Sequence, residues 1–81
     1  MVSEYKNAKV YINGRLIGFH NDPIKLTKEI IERRRQNKIS QQVNVAYHDD
    51  TNEVYINTDA GRVQRPLLVV ENGKVKLTKE N

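Results

Sequence analysis

The sequence predicts an α+β fold, a mostly antiparallel sheet built from hairpins with one amphipathic helix. Three observations predict it. Asn13-Gly14 and Asn72-Gly73 each sit between short β-prone runs, which is the strongest short-range signal for a tight hairpin. Two further runs, 43–47 and 54–58, alternate apolar and polar residues with the period of a half-buried strand. Between these groups, residues 23–37 repeat apolar residues at helical spacing behind a capping aspartate.

In chain order, residues 1–7 are polar and are expected to be flexible. A single domain spans 8–77, and 78–81 form a polar tail that is also expected to be flexible. The first hairpin pairs Ala-Lys-Val-Tyr-Ile with Arg-Leu-Ile-Gly around a type I′ turn at Asn13-Gly14. A regular register then sets Tyr11 opposite Leu16 on one side. On the other side Val10 faces Ile17 and forms a core face. Asp22 can cap free amides, and Pro23 suits the first helical position. The helix is expected to run to about Asn37. Ile24, Thr27 and Ile31 form one line, Leu26 and Ile30 the next, and together they make a narrow apolar stripe.

In the second hairpin the apolar side of the first strand is Val43, Val45 and Tyr47, and the second strand carries Val54 and Ile56 on one side. Tyr55 lies on the other side, and a polar turn of six residues, His48 to Glu53, joins the strands. Asp59-Ala60-Gly61 breaks the chain again, with Gly61 able to take a positive φ. Pro66 removes a backbone donor ahead of the apolar run 67–70, and 75–77 is expected to return beside that run. The order is two strands, one helix and about four strands, with no internal repeat or linker.

The composition bounds the function. The chain has 81 residues, of which 37% are hydrophobic and 30% charged, so one small core is all it can build. It contains no cysteine, which leaves no disulfide and no thiolate zinc site and fits an intracellular protein. No run approaches the length of a membrane span, and the N-terminus lacks the apolar core of a signal peptide. The formal charge of +4 is a mild bias toward polyanions.

Catalytic candidates are thin. His48-Asp49-Asp50 has metal-ligating side chains, but it falls in a hairpin turn, where Asp is expected for backbone reasons. His20 reads as a loop residue before the helix cap. Ser3 and Ser40 belong to no nucleophile motif, and there is no phosphate-binding glycine loop. No catalytic residue and no metal site is assigned. The densest positive patch is Arg33, Arg34 and Arg35 with Lys38. It reads either as a helix end complementing the dipole, with arginine stems on the sheet edge, or as a contact to phosphate or an acidic partner. Tyr5, Tyr11, Phe19, Tyr47 and Tyr55 lack the spacing of a base-stacking sheet motif and read as packing residues. Arg62 and Arg65, three apart at a strand start, point to opposite faces of a regular strand. They read either as two surface arginines or as one turned inward, which would need carboxylates or carbonyls, with Asp59, Asp50 and Glu53 the candidate carboxylates.

Residues 58–73, Thr-Asp-Ala-Gly-Arg-Val-Gln-Arg-Pro-Leu-Leu-Val-Val-Glu-Asn-Gly, closely resemble the Thr-Asp-Ala-Gly-Arg-x-x-Arg-Pro-Leu element of the second-largest subunit of archaeal and eukaryotic DNA-directed RNA polymerases. Val10-Tyr-Ile-Asn-Gly-Arg-Leu-Ile-Gly18 is similar to that family's Val-x-(Ile/Val)-Asn-Gly-x-x-(Ile/Val)-Gly hairpin. Asp22-Pro23 with the Arg-rich helix resembles its next element, and residues 39–45 resemble the segment leading into the long hairpin. The resemblance spans about 8–75, and the archaeal form fits best.

The resemblance implies an "external" domain of that subunit, acting as a packing and support module in an enzyme that copies DNA into RNA. It implies Asp59, Gly61, Arg62 and Arg65 as structural or interaction residues, and carries no catalytic residue onto this chain. Magnesium would serve the assembled polymerase and not this stretch. The implied partners are other polymerase domains and subunits, with DNA template and RNA in the whole enzyme, in the cytoplasm and away from membranes. Met1, just before the first hairpin, fits the second polypeptide of archaea that make this subunit as two chains, and equally a start chosen by design; the abrupt end at Asn81 favours a designed end. The rival reading is a free-standing basic nucleic-acid-binding domain, with Arg33, Arg34, Arg35 and Lys38 on phosphates.

Overall fold

A computed structural model describes residues 7–39, 42–58 and 67–78. Its elements follow the chain as β1 (Ala8–Ile12), β2 (Arg15–His20), α1 (Pro23–Arg35), β3 (Asn44–His48), β4 (Glu53–Asn57), β5 (Leu68–Glu71) and β6 (Lys74–Leu77). The strands form one six-stranded sheet in the order β3-β4-β1-β2-β6-β5. The α+β class is as expected. The sheet, however, is mixed: three hairpins pair antiparallel, while β1–β4 and β2–β6 run parallel. Hairpins are legible locally, but nothing local says which edge of one hairpin meets which edge of the next.

Both Asn-Gly turns have positive φ at both central residues, 51° and 85° at Asn13-Gly14 and 54° and 79° at Asn72-Gly73. That is the type I′ geometry whose twist matches the flanking strands. The first hairpin departs from regular register. Tyr11 does face Leu16, but Val10 faces Gly18 and not Ile17, because the register shifts between Val10 and Tyr11. Ile17 is the extra residue of a β-bulge, and its side chain packs against the core. The second hairpin pairs closer to its turn than expected. His48 and Glu53 already face each other, leaving four turn residues, with Asn52 at φ 58°.

The helix starts as predicted. Asp22 accepts from the Lys25 amide at 3.2 Å, and Pro23 occupies the first turn. It stops at Arg35, short of Asn37. Asn37 takes a φ of 60°, its amide donates to the Arg34 carbonyl, and the Lys38 amide donates to the Arg33 carbonyl. These paired bonds form a Schellman end, with asparagine in the left-handed position usually given to glycine.

Leu26 and Ile30 are fully buried with Ala8, Val10, Val54 and Ile56, and Val43, Leu68 and Val75 complete the core. The Ile24–Ile31 line is a correction: these residues are 37% and 41% exposed. Ile24 and Ile31 lie about 100–160° around the helix from Leu26 and Ile30, so a sheet that covers one pair leaves the other at the flank. The helix covers one sheet face only, chiefly over β3 and β4.

Candidate interaction surface

The arginine run at the end of α1 is resolved into three separate roles. Arg33 donates from Nη1 to the Thr78 carbonyl at 2.8 Å. Arg34 donates from Nη1 to the Val43 carbonyl at 2.9 Å and to Asn44 Oδ1 at 3.2 Å. Arg35 turns outward to Glu32, with Nη2 3.3 Å from the carboxylate, which holds the Glu32 carboxyl below the usual range together with Gln36. The first two therefore tie the helix end to the backbone leading into β3 and leaving β6. Lys38 is exposed. Consecutive residues on a helix point about 100° apart, so three identical side chains meet three different surroundings.

Charged donors make strong hydrogen bonds to backbone carbonyls. Arg34→Met is therefore expected to lower unfolding free energy by about 1–3 kcal/mol. Arg35→Met removes only an exposed pair and is expected to cost about 0.5 kcal/mol or less. Urea unfolding of the two variants checks the contrast.

The sheet face opposite the helix carries the aromatic residues. Alternation sends Val54 and Ile56 into the core and Tyr55 outward, and Tyr11 stands beside it in parallel register. The two rings stack at a centroid distance of 5.0 Å, with planes 8° apart. His48 meets Tyr55 edge-on, also at 5.0 Å. Glu53 accepts from both hydroxyls, from Tyr55 at 2.6 Å and from Tyr11 at 3.3 Å. Tyr47 lies on the inner side, and its hydroxyl donates to Asn52 Oδ1.

The hydrogen bond to Glu53, partial burial and the negative charge push the Tyr55 phenol up to about 12. Partial burial, then the same carboxylate's charge and hydrogen bond, raise Tyr11. The Tyr55 bond likewise holds the Glu53 carboxyl below its ordinary value. A raised phenol contributes stability that is complete below about pH 10 and is lost as pH rises through about 12. An ultraviolet titration of tyrosinate is expected to show a late component. Tyr55→Phe removes it, and Glu53→Gln moves it back toward pH 10.

A third polar junction joins the first turn to the end of β4. Asn13 Oδ1 accepts from the Thr58 amide at 2.9 Å, and its Nδ2 donates to Thr58 Oγ1 at 3.2 Å. The Asn13 amide also donates to the Ile56 carbonyl. The Asn-Gly turn thus anchors the chain just where the Thr-Asp-Ala-Gly-Arg stretch begins. Asp59, Gly61, Arg62 and Arg65 lie outside the described residues, as do Ser3, Tyr5 and Ser40. Of the carboxylates considered as their partners, Glu53 is engaged by the tyrosines and Asp50 is exposed.

His20 sits where β2 meets the helix start. Its Nδ1 accepts from the Asp22 amide at 2.9 Å, and burial pulls its pKa below the ordinary value. His48, Asp49 and Asp50 occupy the exposed β3–β4 corner. Among the described residues no group of three His, Cys, Asp or Glu side chains converges as metal ligands. No described helix is long and apolar enough to cross a membrane.

Sequence reasoning missed the Tyr11–Glu53–Tyr55 unit. Its signal was available only across strands: Glu53 and Tyr55 share a face at i and i+2, but Tyr11 joins them through the β1–β4 pairing.

Comparison with known proteins places this architecture. The family model for RNA polymerase Rpb2, domain 4, matches residues 10–71. The DNA-directed RNA polymerase subunit Rpo2 of Sulfolobus acidocaldarius is 59% identical over 68 residues, covering 82% of this chain and 6% of that protein. Rpo2 of Saccharolobus shibatae is 49% identical over 98% of this chain and 7% of its own length. The DNA-directed RNA polymerase II subunit RPB2 of Encephalitozoon cuniculi is 36% identical over 91% of this chain and 6% of its own. The matched stretch is thus a small part of much longer relatives, and the chain belongs to the RNA polymerase Rpb2 domain 4 family.

Proposed function

We propose that this chain is a packing and support module of the second-largest subunit of a DNA-directed RNA polymerase, contributing to DNA-templated RNA synthesis only through the assembled enzyme. The observation that carries the reading is the match over residues 10–71 to a domain of polymerase subunits in which such a stretch fills only 6–7% of the length. The described side chains support it. Arg33, Arg34, Asn13 and the Tyr11–Glu53–Tyr55 unit spend their polar groups on holding the fold. The partners on this reading are other polymerase domains and subunits, with template DNA and RNA in the whole enzyme, in the cytoplasm. Magnesium belongs to the chemistry of such an enzyme. On this reading none of it is held by this stretch.

Asp59, Gly61, Arg62 and Arg65 are the residues proposed to lock the module against its neighbours. Arg62→Glu in the full-length subunit is expected to impair assembly, read as loss of the other subunits on co-purification. Normal assembly with normal transcription would overturn this reading.

A further inference from the structure

The chain holds two Asn-Gly pairs, Asn13-Gly14 and Asn72-Gly73. Both close tight hairpins with positive φ at each position, and all of these residues are exposed. Asparagine followed by glycine is open to attack by the main chain on the side chain, because glycine has no Cβ to shield its nitrogen. A Cβ built on either glycine would meet nothing within 4 Å, so open space does not separate the two turns. The asparagine side chains do. Asn13 is held at both ends of its amide by Thr58, with Oδ1 accepting from the Thr58 amide at 2.9 Å and Nδ2 donating to Thr58 Oγ1 at 3.2 Å. Among the described residues the Asn72 side chain has no hydrogen-bond partner, and nothing accepts from the Gly73 amide.

We infer that Asn72 is a site of spontaneous deamidation and isoaspartate formation, and that Asn13 is protected from the same reaction. The Gly73 nitrogen loses its proton to a solvent base and bonds to Asn72 Cγ. The bond from Cγ to the side-chain nitrogen breaks, and ammonia leaves after taking a proton back from solvent. The product is a succinimide ring, which water opens at either carbonyl. One opening gives aspartate with the original main chain. The other gives isoaspartate, whose main chain runs through the side-chain carbon and is longer by one methylene. Water is the only co-reactant, and nothing is oxidised or reduced. The turn permits the approach. Types I′ and II′ share a positive φ at the first central residue and differ in the orientation of the central peptide. The Gly73 nitrogen can therefore swing toward Cγ without unpairing Glu71 from Lys74. At Asn13 both bonds to Thr58 must open first, which slows the reaction by roughly tenfold or more.

The change bears on the sheet through the next carbonyl. Gly73 O accepts from the Phe19 amide at 2.9 Å, and Phe19 opposite Lys74 is the one paired position between β2 and β6. A main chain lengthened at residue 72 displaces that carbonyl, so isoaspartate there loosens the β5–β6 hairpin from β2.

The test uses the full-length subunit in the assembled polymerase, aged in mildly alkaline buffer and then digested. Mass spectrometry with electron-transfer fragmentation separates asparagine, aspartate and isoaspartate at each position. Asn72 is expected to convert roughly tenfold or more faster than Asn13, with isoaspartate among its products. In guanidinium the two rates are expected to converge, because Thr58 no longer holds Asn13. Hydrogen exchange at the Phe19 amide is expected to be severalfold faster in the aged enzyme than in the fresh one. Equal rates in the folded enzyme, a faster Asn13, or an Asn72 that does not react would overturn the inference. Rates that differ as widely in guanidinium would assign the contrast to the flanking residues and overturn the protection by Thr58. Unchanged exchange at Phe19 in enzyme carrying isoaspartate would overturn the effect on the sheet.

Discussion

Leu26→Ala is expected to lower the unfolding free energy by about 2–5 kcal/mol, the range for removing a buried leucine side chain and leaving a cavity. Leu26 is fully buried in the cluster that joins α1 to the sheet. The cluster is small: nine buried hydrophobic residues among those described, five of them alanine or valine around Leu26 and Ile30, namely Ala8, Val10, Val54 and Val75 on the strands and Val43 just before β3. With so few large side chains, neighbours cannot collapse into the gap without moving the helix. Small domains have only a few kcal/mol in hand. The variant should therefore be largely unfolded where the parent is folded, with the loss visible as a shifted or missing urea transition. A transition within about 1 kcal/mol of the parent would show that α1 does not depend on this contact.

Gly18 is the second position of large expected effect, for a different reason. It lies on the inner side of β2 opposite Val10, beside the parallel strand β6. A Cβ there would stand 2.9 Å from the Gly73 carbonyl oxygen and 2.9 Å from Val75 Cγ2, with Val70 Cγ1 at 3.4 Å. The Gly73 carbonyl is also the acceptor for the Phe19 amide at 2.9 Å. It cannot retreat without breaking a bond between β2 and the β5–β6 hairpin. Overpacking of this kind costs about 1–3 kcal/mol. Gly18→Val adds two further methyls and is expected to cost more than Gly18→Ala. The local signature should be faster amide exchange at Phe19 and along β6 than along β1 and β4. Uniform exchange across all strands would show that the clash is absorbed elsewhere.

These two sites mark how far the sequence was readable. Gly18 belongs to a motif that carries the family resemblance, yet its physical role is invisible in one dimension. It depends on a bulge at Ile17, which puts Gly18 opposite Val10, and on β6 returning beside β2. The features that were legible are those set by neighbours in sequence. The Asn-Gly turns need positive φ, Asp22-Pro23 caps and starts a helix, and Val54-Tyr55-Ile56 sorts its side chains by the pleat. Tyr11 opposite Leu16 follows from the turn alone, whereas the register two residues farther on depends on an insertion that the turn does not control.

The helix stripe shows the same limit. Ile24 and Ile31 have the letters of core residues and share a line, but the sheet reaches only the Leu26–Ile30 side. The arginines were the hardest to read. Either role, phosphate contact or helix-end packing, suits the composition. Only the arrival of residues 43 and 78 beside the helix end supplies the carbonyls that Arg34 and Arg33 bind. For the stretch with the clearest family likeness, residues 58–73, the likeness came from the order of its residues. The structure adds its anchor, the Asn13–Thr58 pair at its start.

The two parallel seams of the sheet are unequal. Four paired positions join β1 to β4, from Lys9 opposite Glu53 to Ile56 opposite Ile12, whereas one, Phe19 opposite Lys74, joins β2 to β6. Free energies of local opening follow the contacts that must be broken. Once the Arg33–Thr78 bond is broken and Leu68 and Val75 leave the core, the β5–β6 hairpin should therefore behave as a leaf hinged on the rest of the molecule, able to lift before the β1–β4 seam opens. In a large assembly such a leaf could yield to strain from its neighbours first, letting the remainder keep its shape.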